Sequence, residues 1–255
     1  MYQLDHIVHF VDDPKKMMEL TKSLGLHTIE GGKHEMWGTY NSLSYFGLSY
    51  IEFIGVFDQT LLDKSAKVPY TLHETYKKRN EQKGLTRLAL RTSTIEEDAN
   101  RFRAFGLKVI GPDSFSRIRP DGSILSWKLL HIGREDLFID YPFFIQWDDS
   151  DENRWNDLQS NGTIKEHPLG NLEISEIKLL VEDIAIAKDW SRLFRFEVSH
   201  TSDQSIQLKA PNCIFTFEKV KDKNEIGEII LSGAKNEQTV IMEEGKYTFI
   251  CQNQS

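Results

Sequence analysis

Apolar runs of strand length alternate along this chain with stretches whose apolar residues recur at helical spacing, and the pattern repeats. Leu4 to Gly31 reads LDHIVHFVDDPKKMMELTKSLGLHTIEG, and Leu85 to Pro112 reads LTRLALRTSTIEEDANRFRAFGLKVIGP. The two align without a gap 81 positions apart, and Ile174 to Ser199 aligns again 89 further on. Each copy is an apolar strand, a short acidic turn, one amphipathic helix and a new strand. A period this long marks a duplicated supersecondary unit.

In the first unit, Leu4 to Val11 reads as a strand. Asp12-Asp13-Pro14 opens a helix, with aspartate as N-cap and proline in the first turn, and Gly25 ends it. Met36 to Phe46 and Tyr50 to Val56 then switch to period two, joined at Gly47. The unit is therefore β-α-β-β-β. In the second, Leu85 to Arg91 is the strand, Ser93 to Glu96 has the capping-box pattern, and Gly106 closes the helix. Leu107 to Ile110, Ile124 to Ile132 and Phe138 to Trp147 supply its later strands, with an Arg-Pro-Asp-Gly turn at 119–122. Residues 58–83 connect the units, with a short helix over Tyr70 to Arg79, and the acidic stretch 148–170 reads as a linker. A third unit spans 171–220. The tail to 251 gives about three strands and no helix, as a fourth unit that has lost its first half.

Composition removes several classes. A net charge of -8 over 255 residues, with no basic stripe, argues against nucleic acid and against an anionic membrane surface. The start, MYQLDHIVHF, has no basic n-region, and no apolar run of spanning length occurs, so a cytoplasmic location is expected. Cys213 and Cys251 read as reduced thiols.

Differences between copies point to chemistry. His6 aligns with Arg87 and Glu176, while Asn41 to Ile54 aligns with Gln204 to Phe217, so Glu52 meets Phe215. Alternation puts Ile7, His9 and Val11 on the helix-facing side of the first strand. The other side collects His6, Arg87, Arg91 and, from the last strand, Glu52. Ionisable groups on an inner sheet face need partners, a ligand or a cavity. Arg87 and Arg91 either form structural ion pairs with Asp140 or Glu52 or receive an anion through the planar guanidinium fork.

A β-α-β-β-β repeat beginning LDHIVHFV and ending YIEFIGV resembles the vicinal oxygen chelate superfamily. Within it, GGKHEMWGTYNSLSYF at 31–46, YIEFIG at 50–55, RIRPDGSILSW at 117–127 and YPFFIQW at 141–147 are similar to its glyoxalase-like group. The resemblance implies two units forming an incomplete barrel around a metal cleft, with ligands from the first and last strands. His6 and Glu52 stand at two such places. Arginine cannot coordinate a metal, so Arg87 removes the four-ligand glyoxalase I site; Asp140 and Gln146 are the remaining candidates on the last strand of the second unit.

The expectation is an α+β protein of paired βαβββ modules forming an incomplete barrel, with a third and a partial fourth module. Residues 1–147 would be the two-module domain with the site. Residues 171–255 would be a degenerate structural or dimer-forming pair, which leaves a homodimer open. The resemblance implies a small-molecule enzyme acting on a small polar, anionic substrate. His6, Glu52 and His34 would be ligands to a divalent zinc, iron, manganese or nickel ion, and Glu52 ligand or base. Arg87, Thr39, Asn41 and Arg91 would hold the substrate. The alternative is a non-catalytic protein that sequesters a small molecule in the same cleft.

Overall fold

Every residue of the first strand from Leu4 to Phe10 is buried, on both faces, which places it in the middle of a sheet. The computed structural model describes residues 1–119 and 122–251. Among them the first unit is β1 (Gln3–Phe10), α1 (Pro14–Ser23), β2 (Ile29–His34), β3 (Thr39–Phe46) and β4 (Ser49–Val56). Two short helices follow, α2 (Gln59–Ser65) and α3 (Leu72–Lys78). The second unit is β5 (Gly84–Arg91), α4 (Ile95–Ala104), β6 (Lys108–Ile118), β7 (Ile124–Gly133) and β8 (Phe143–Trp147). Helix α5 (Asp151–Ser160) leads to the third unit, β9 (Gly170–Val181), α6 (Ala185–Phe194), β10 (Glu197–Thr201), β11 (Ser205–Lys209) and β12 (Ile214–Lys219). The tail is β13 (Asn224–Ala234), β14 (Gln238–Met242) and β15 (Gly245–Cys251).

The first two units share one sheet, ordered β2-β3-β4-β1-β5-β8-β7-β6. The rest form a second, ordered β10-β11-β12-β9-β13-β15-β14. In each unit the first and last strands pair parallel: β1 with β4, β5 with β8, β9 with β12, β13 with β15. Antiparallel first strands join units, β1 to β5 and β9 to β13. The first sheet is thus a half-barrel of two modules, and the fourth unit lacks its helix, as the pattern predicts.

Asp13 caps α1 by accepting from the Lys15 amide, with Pro14 at the first position. The capping box expected on α4 does not form. Thr94 is the N-cap without a side-chain bond, and the hydroxyls of Thr92 and Thr94 donate instead to Asp98, one helical turn on. The two sheets share one apolar core. Phe194 of α6 meets Tyr2, Phe102 and Phe144, while Trp190 packs on Phe215 and Phe217. Asn212 ties the sheets by both accepting from and donating to the backbone of Leu4, at 2.9 Å each.

Other expectations need correction. The stretch 148–170 contains α5, capped by Ser150 and anchored by buried Arg154 and Leu158. Met36 lies in the turn before β3, and residues 138–142 are not strand, so β8 begins after Pro142. Residues 120 and 121 of the 119–122 turn lie outside the described residues. His9 lies on the side of β1 away from the half-barrel's inner face. It packs not on a helix but on the β14–β15 hairpin, with Nδ1 2.5 Å from the Tyr247 hydroxyl and Nε2 3.0 Å from the Glu243 carbonyl. Among the described residues no helix is long and apolar enough to cross a membrane.

Candidate functional site

The half-barrel curves around a cavity of about 360 Å³. Alternation selects its walls: His6 from β1, Asn41, Leu43 and Tyr45 from β3, and Tyr50, Glu52 and Ile54 from β4. Phe115 and Arg117 of β6 face in, as do Trp127, Leu129 and His131 of β7 and Phe143, Ile145 and Trp147 of β8. Leu72 and His73 of α3 line the same space.

The titratable groups of the first unit gather at one point. His6 Nε2 stands 3.7 Å from Glu52 Oε2, and His34 Nε2 stands 4.0 Å from Glu52 Oε1. Asn41 donates to Glu52 Oε1 at 2.5 Å and accepts from the Gly32 amide at 2.8 Å. Thr39, expected to touch substrate, is off the cavity wall and holds His34 Nδ1 at 3.0 Å. Burial keeps His34 below the usual histidine range; the Glu52 charge opposes that shift only in part.

Asp5 was not among the residues singled out from the sequence, because alternation sends the neighbour of His6 to the other face. A β-bulge between Leu4 and His6 breaks that rule. The Asp5 carboxylate lies 2.8 Å from His6 Nδ1, accepts from Trp147 Nε1 at 3.0 Å and pairs with Arg91 at 3.3 Å. Burial would raise its pKa, but the His6 hydrogen bond and the charges of Arg154 and Arg91 win and hold it well below the carboxylate range. An ionised Asp5 takes the Nδ1 proton of His6 as a hydrogen bond and turns Nε2 toward Glu52.

The second unit contributes a different wall. Val8 pairs with Glu52 across β1 and β4, and its repeat counterpart Ala89 pairs with Phe143 across β5 and β8. Phe143 therefore stands where the first unit has Glu52, rather than Asp140 or Gln146. In the third unit the counterpart is Thr216, not Phe215. Thr216 pairs with Lys178 and donates to Glu176 at 2.6 Å, whereas Phe215 turns into the core. His73 and His131 are further cavity residues missed in the sequence. Burial lowers their pKa values to about 4 and about 3, and neither His73 Nε2 nor His131 Nδ1 has a hydrogen-bond partner among the described residues.

Neither arginine expected to receive substrate reaches the cavity wall. Arg87 is 2% exposed and donates to the Tyr70 carbonyl, the Thr75 hydroxyl and the Tyr141 carbonyl, with Asp140 at 3.7 Å. Arg91 pairs with Asp5 at 3.3 Å and Asp151 at 3.0 Å and donates to Gln3. Helix α3 brings Thr75 to Arg87 and helix α5 brings Asp151 to Arg91, contacts that the sequence did not display, while the Arg87–Asp140 pair is one the sequence offered. The cations on the cavity wall are Arg117, half-buried, and Lys64, exposed at the rim.

As a metal site, the donor chemistry is suitable. His6 and His34 each have Nδ1 tied to another side chain, as metal-bound histidines do, and each turns Nε2 toward a carboxylate. The spacing is wider than one coordination sphere. Among the described residues no three His, Cys, Asp or Glu groups stand close enough together to hold an ion.

Comparison with known proteins is consistent with this architecture. The sequence model of a family described as "Glyoxalase-like domain" matches residues 4–194. A search of curated proteins gives no match. Of solved structures, a hypothetical protein from Staphylococcus aureus is similar at 23% identity, covering 99% of this chain and 100% of its own, with a TM-score of 0.89. The 2,3-dioxygenase LapB from Pseudomonas sp. KL28 is similar at 11% identity, over 98% of this chain and 92% of its own, with a TM-score of 0.56. A mutant 4-hydroxymandelate synthase from Streptomyces coelicolor is similar at 9% identity, over 90% and 70%, with a TM-score of 0.55. At these identities the likeness is one of fold.

Proposed function

Because the chain belongs to the glyoxalase-like domain family of the vicinal oxygen chelate superfamily, we propose that the half-barrel cavity is the active site of a small-molecule enzyme that moves a proton next to a carbonyl or hydroxyl oxygen. The observation that carries this reading is the chain Asp5–His6···Glu52 at one pole of an otherwise largely apolar cavity. Glu52 is the general base: Asn41 fixes Oε1 and leaves Oε2 toward the cavity. His6, whose Nδ1 proton is held by Asp5, presents the Nε2 lone pair to Glu52 and takes on the proton once Glu52 has abstracted it. His34, kept neutral by burial, presents Nε2 to the charge that develops on the substrate oxygen.

A divalent ion is the second reading, favoured by the two imidazoles whose Nδ1 atoms are already tied off. His6, His34 and Glu52 would hold it, and when bound it would act as a Lewis acid toward the substrate oxygen. Metal analysis of the purified chain and of its His6→Ala variant tests this, since bound metal should fall with the variant.

Proton exchange in D₂O, followed by NMR over a panel of 2-oxo and 2-hydroxy acids, tests the enzyme reading. Wild type should wash out the proton next to the oxygenated carbon, and Glu52→Gln should slow this by about 100-fold or more, the scale of a general base. Tight binding of a panel member without exchange would favour sequestration instead.

A further inference from the structure

The repeat makes the two halves of the cavity comparable, and they are not alike. At equivalent positions the first unit has Glu52 and the second Phe143. The first half holds the carboxylate and its histidines; the second lays Phe115, Trp127, Phe143 and Trp147 on the wall, joined by Trp37 from the turn before β3. Phe115 lies 5.1 Å from Trp37 and 6.3 Å from Trp127, and Trp127 lies 5.9 Å from Trp147, centroid to centroid. These four rings are only half-buried, whereas core aromatics such as Phe10, Phe53 and Phe144 are fully sealed. Ring surface left open on a cavity wall gains from covering by a flat apolar body.

Arg117 completes the contrast. It shares the inward face of β6 with Phe115, is half-buried, and pairs with no carboxylate among the described residues. By comparison Arg87, Arg91, Arg119 and Arg154 all stand within 4.0 Å of one. Strands β6 and β2 are the two edges of the sheet, and the guanidinium spans the gap between them. A Cβ at Gly32 would collide with Arg117 Nη1. Its charge depresses the pKa of His34, after the larger effect of burial, so it acts within reach of the polar pole. Lys64 and Asp113, the other charged groups on this side of the cavity, are exposed at its rim and solvated. A half-buried guanidinium without a counter-charge among the described residues, in a chain of net charge -8, is a site for an anion supplied from outside.

We propose that the cavity takes a planar aromatic monoanion. Its ring lies along the Trp37–Phe115–Trp127–Trp147 wall, and its carboxylate is held by Arg117 beside His34 and Glu52. The proposal rests on reading the cavity as the active site and gives that site its substrate class. It moves the anion from Arg87 and Arg91, where the sequence put it, to a cation that pairs with no carboxylate among the described residues.

Calorimetric titration of the full chain with 2-naphthoate tests it, against 2-naphthylmethanol (the same ring without charge) and decahydro-2-naphthoate (the charge without a flat ring). 2-Naphthoate should bind tighter than either by about tenfold or more, the scale of one charged hydrogen bond. Arg117→Gln should remove about that factor for 2-naphthoate and leave 2-naphthylmethanol unchanged, while Arg117→Lys restores part of it. Trp127→Leu should weaken both aromatic probes together. No binding of 2-naphthoate at about 1 mM, the bottom of the specific range, overturns the proposal. So does equal binding of the saturated acid, or an Arg117→Gln variant that melts like wild type and binds 2-naphthoate as well. Selective binding without proton exchange would leave this inference standing and remove the enzyme reading; exchange without selectivity for aromatic anions would do the reverse.

Discussion

Nδ1 of His6 donates to Oδ1 of its own chain neighbour, Asp5, across 2.8 Å, and this contact decides which imidazole nitrogen faces Glu52. Asp5 is fully buried and also serves Arg91, Arg154 and Trp147. Asp5→Asn keeps the shape but removes the buried one of the two carboxylates that Arg91 and Arg154 share, leaving the half-exposed Asp151, and turns an amide toward Nδ1. The expected cost is about 3 kcal/mol, typical of breaking a buried ion pair from one side. Urea unfolding measures it, and ¹⁵N shifts of His6 should report the lost tautomer preference. A cost below about 1 kcal/mol, that of an ordinary hydrogen bond, would show that Asp5 is not the organiser of this pole.

Acid should destabilise the fold earlier than carboxylate titration alone would. Burial lowers the pKa values of His9 and His73 from 6.5 to about 4 and that of His131 to about 3. Below pH 6.5 the unfolded chain therefore binds protons that the folded chain refuses. Stability is complete above 6.5 and falls as pH drops toward 4, by roughly 3 kcal/mol per histidine. Asp5, depressed in the fold, adds a further loss once pH falls below its unfolded value near 3.8. Unfolding free energies at pH 7.5, 6 and 5 should show the decline, and His9→Gln should shallow it. A flat profile from 7.5 to 5 is incompatible with three buried neutral histidines.

Asn212→Ala probes the joint between the sheets. It removes two 2.9 Å hydrogen bonds to the Leu4 backbone and leaves part-buried amide and carbonyl groups without them. A loss of about 2 kcal/mol is expected from unmade bonds of this kind. Thermal melts should show it as one cooperative transition at lower temperature, because both sheets share one core.

The repeat, and with it the module pairing, was legible because each first strand is an apolar run followed by a capped helix. Parity and the family resemblance together put His6 and Glu52 on one face, and the structure has them 3.7 Å apart. What failed to show in the sequence depends on contacts with no local signature. Asp5 is hidden by a bulge. Helix α5 is polar and is held by Arg154, whose guanidinium lies 4.3 Å from the Trp147 ring centroid, rather than by an apolar stripe. Arg87 was put on the right face, but Thr75 of α3 and the nearby Tyr70 carbonyl take up its donors. Arg117 was overlooked because the apolar pattern of β6 stops at Ile110, although the strand continues through Gly111-Pro112 to Ile118.

The adjacent glycines Gly31 and Gly32 should respond differently to the same substitution. At Gly31 a Cβ would coincide with Asn41 Oδ1, and Asn41 is fixed at both ends, by the Gly32 amide and by Glu52. At Gly32 a Cβ would meet Nη1 and, at 3.3 Å, Cζ of Arg117, the far end of a long flexible side chain. Gly31→Ala must displace Asn41 and through it Glu52. It should cost about 1–3 kcal/mol, as overpacking does, and slow any reaction that uses Glu52. Gly32→Ala should cost less than about 1 kcal/mol, because a flexible side chain can give way. It should instead weaken anion binding by moving Arg117. Parallel unfolding and 2-naphthoate titrations of the two variants separate these effects. Equal stability losses, or an unchanged affinity in Gly32→Ala, would mean that Arg117 is not positioned by the bare backbone beneath it.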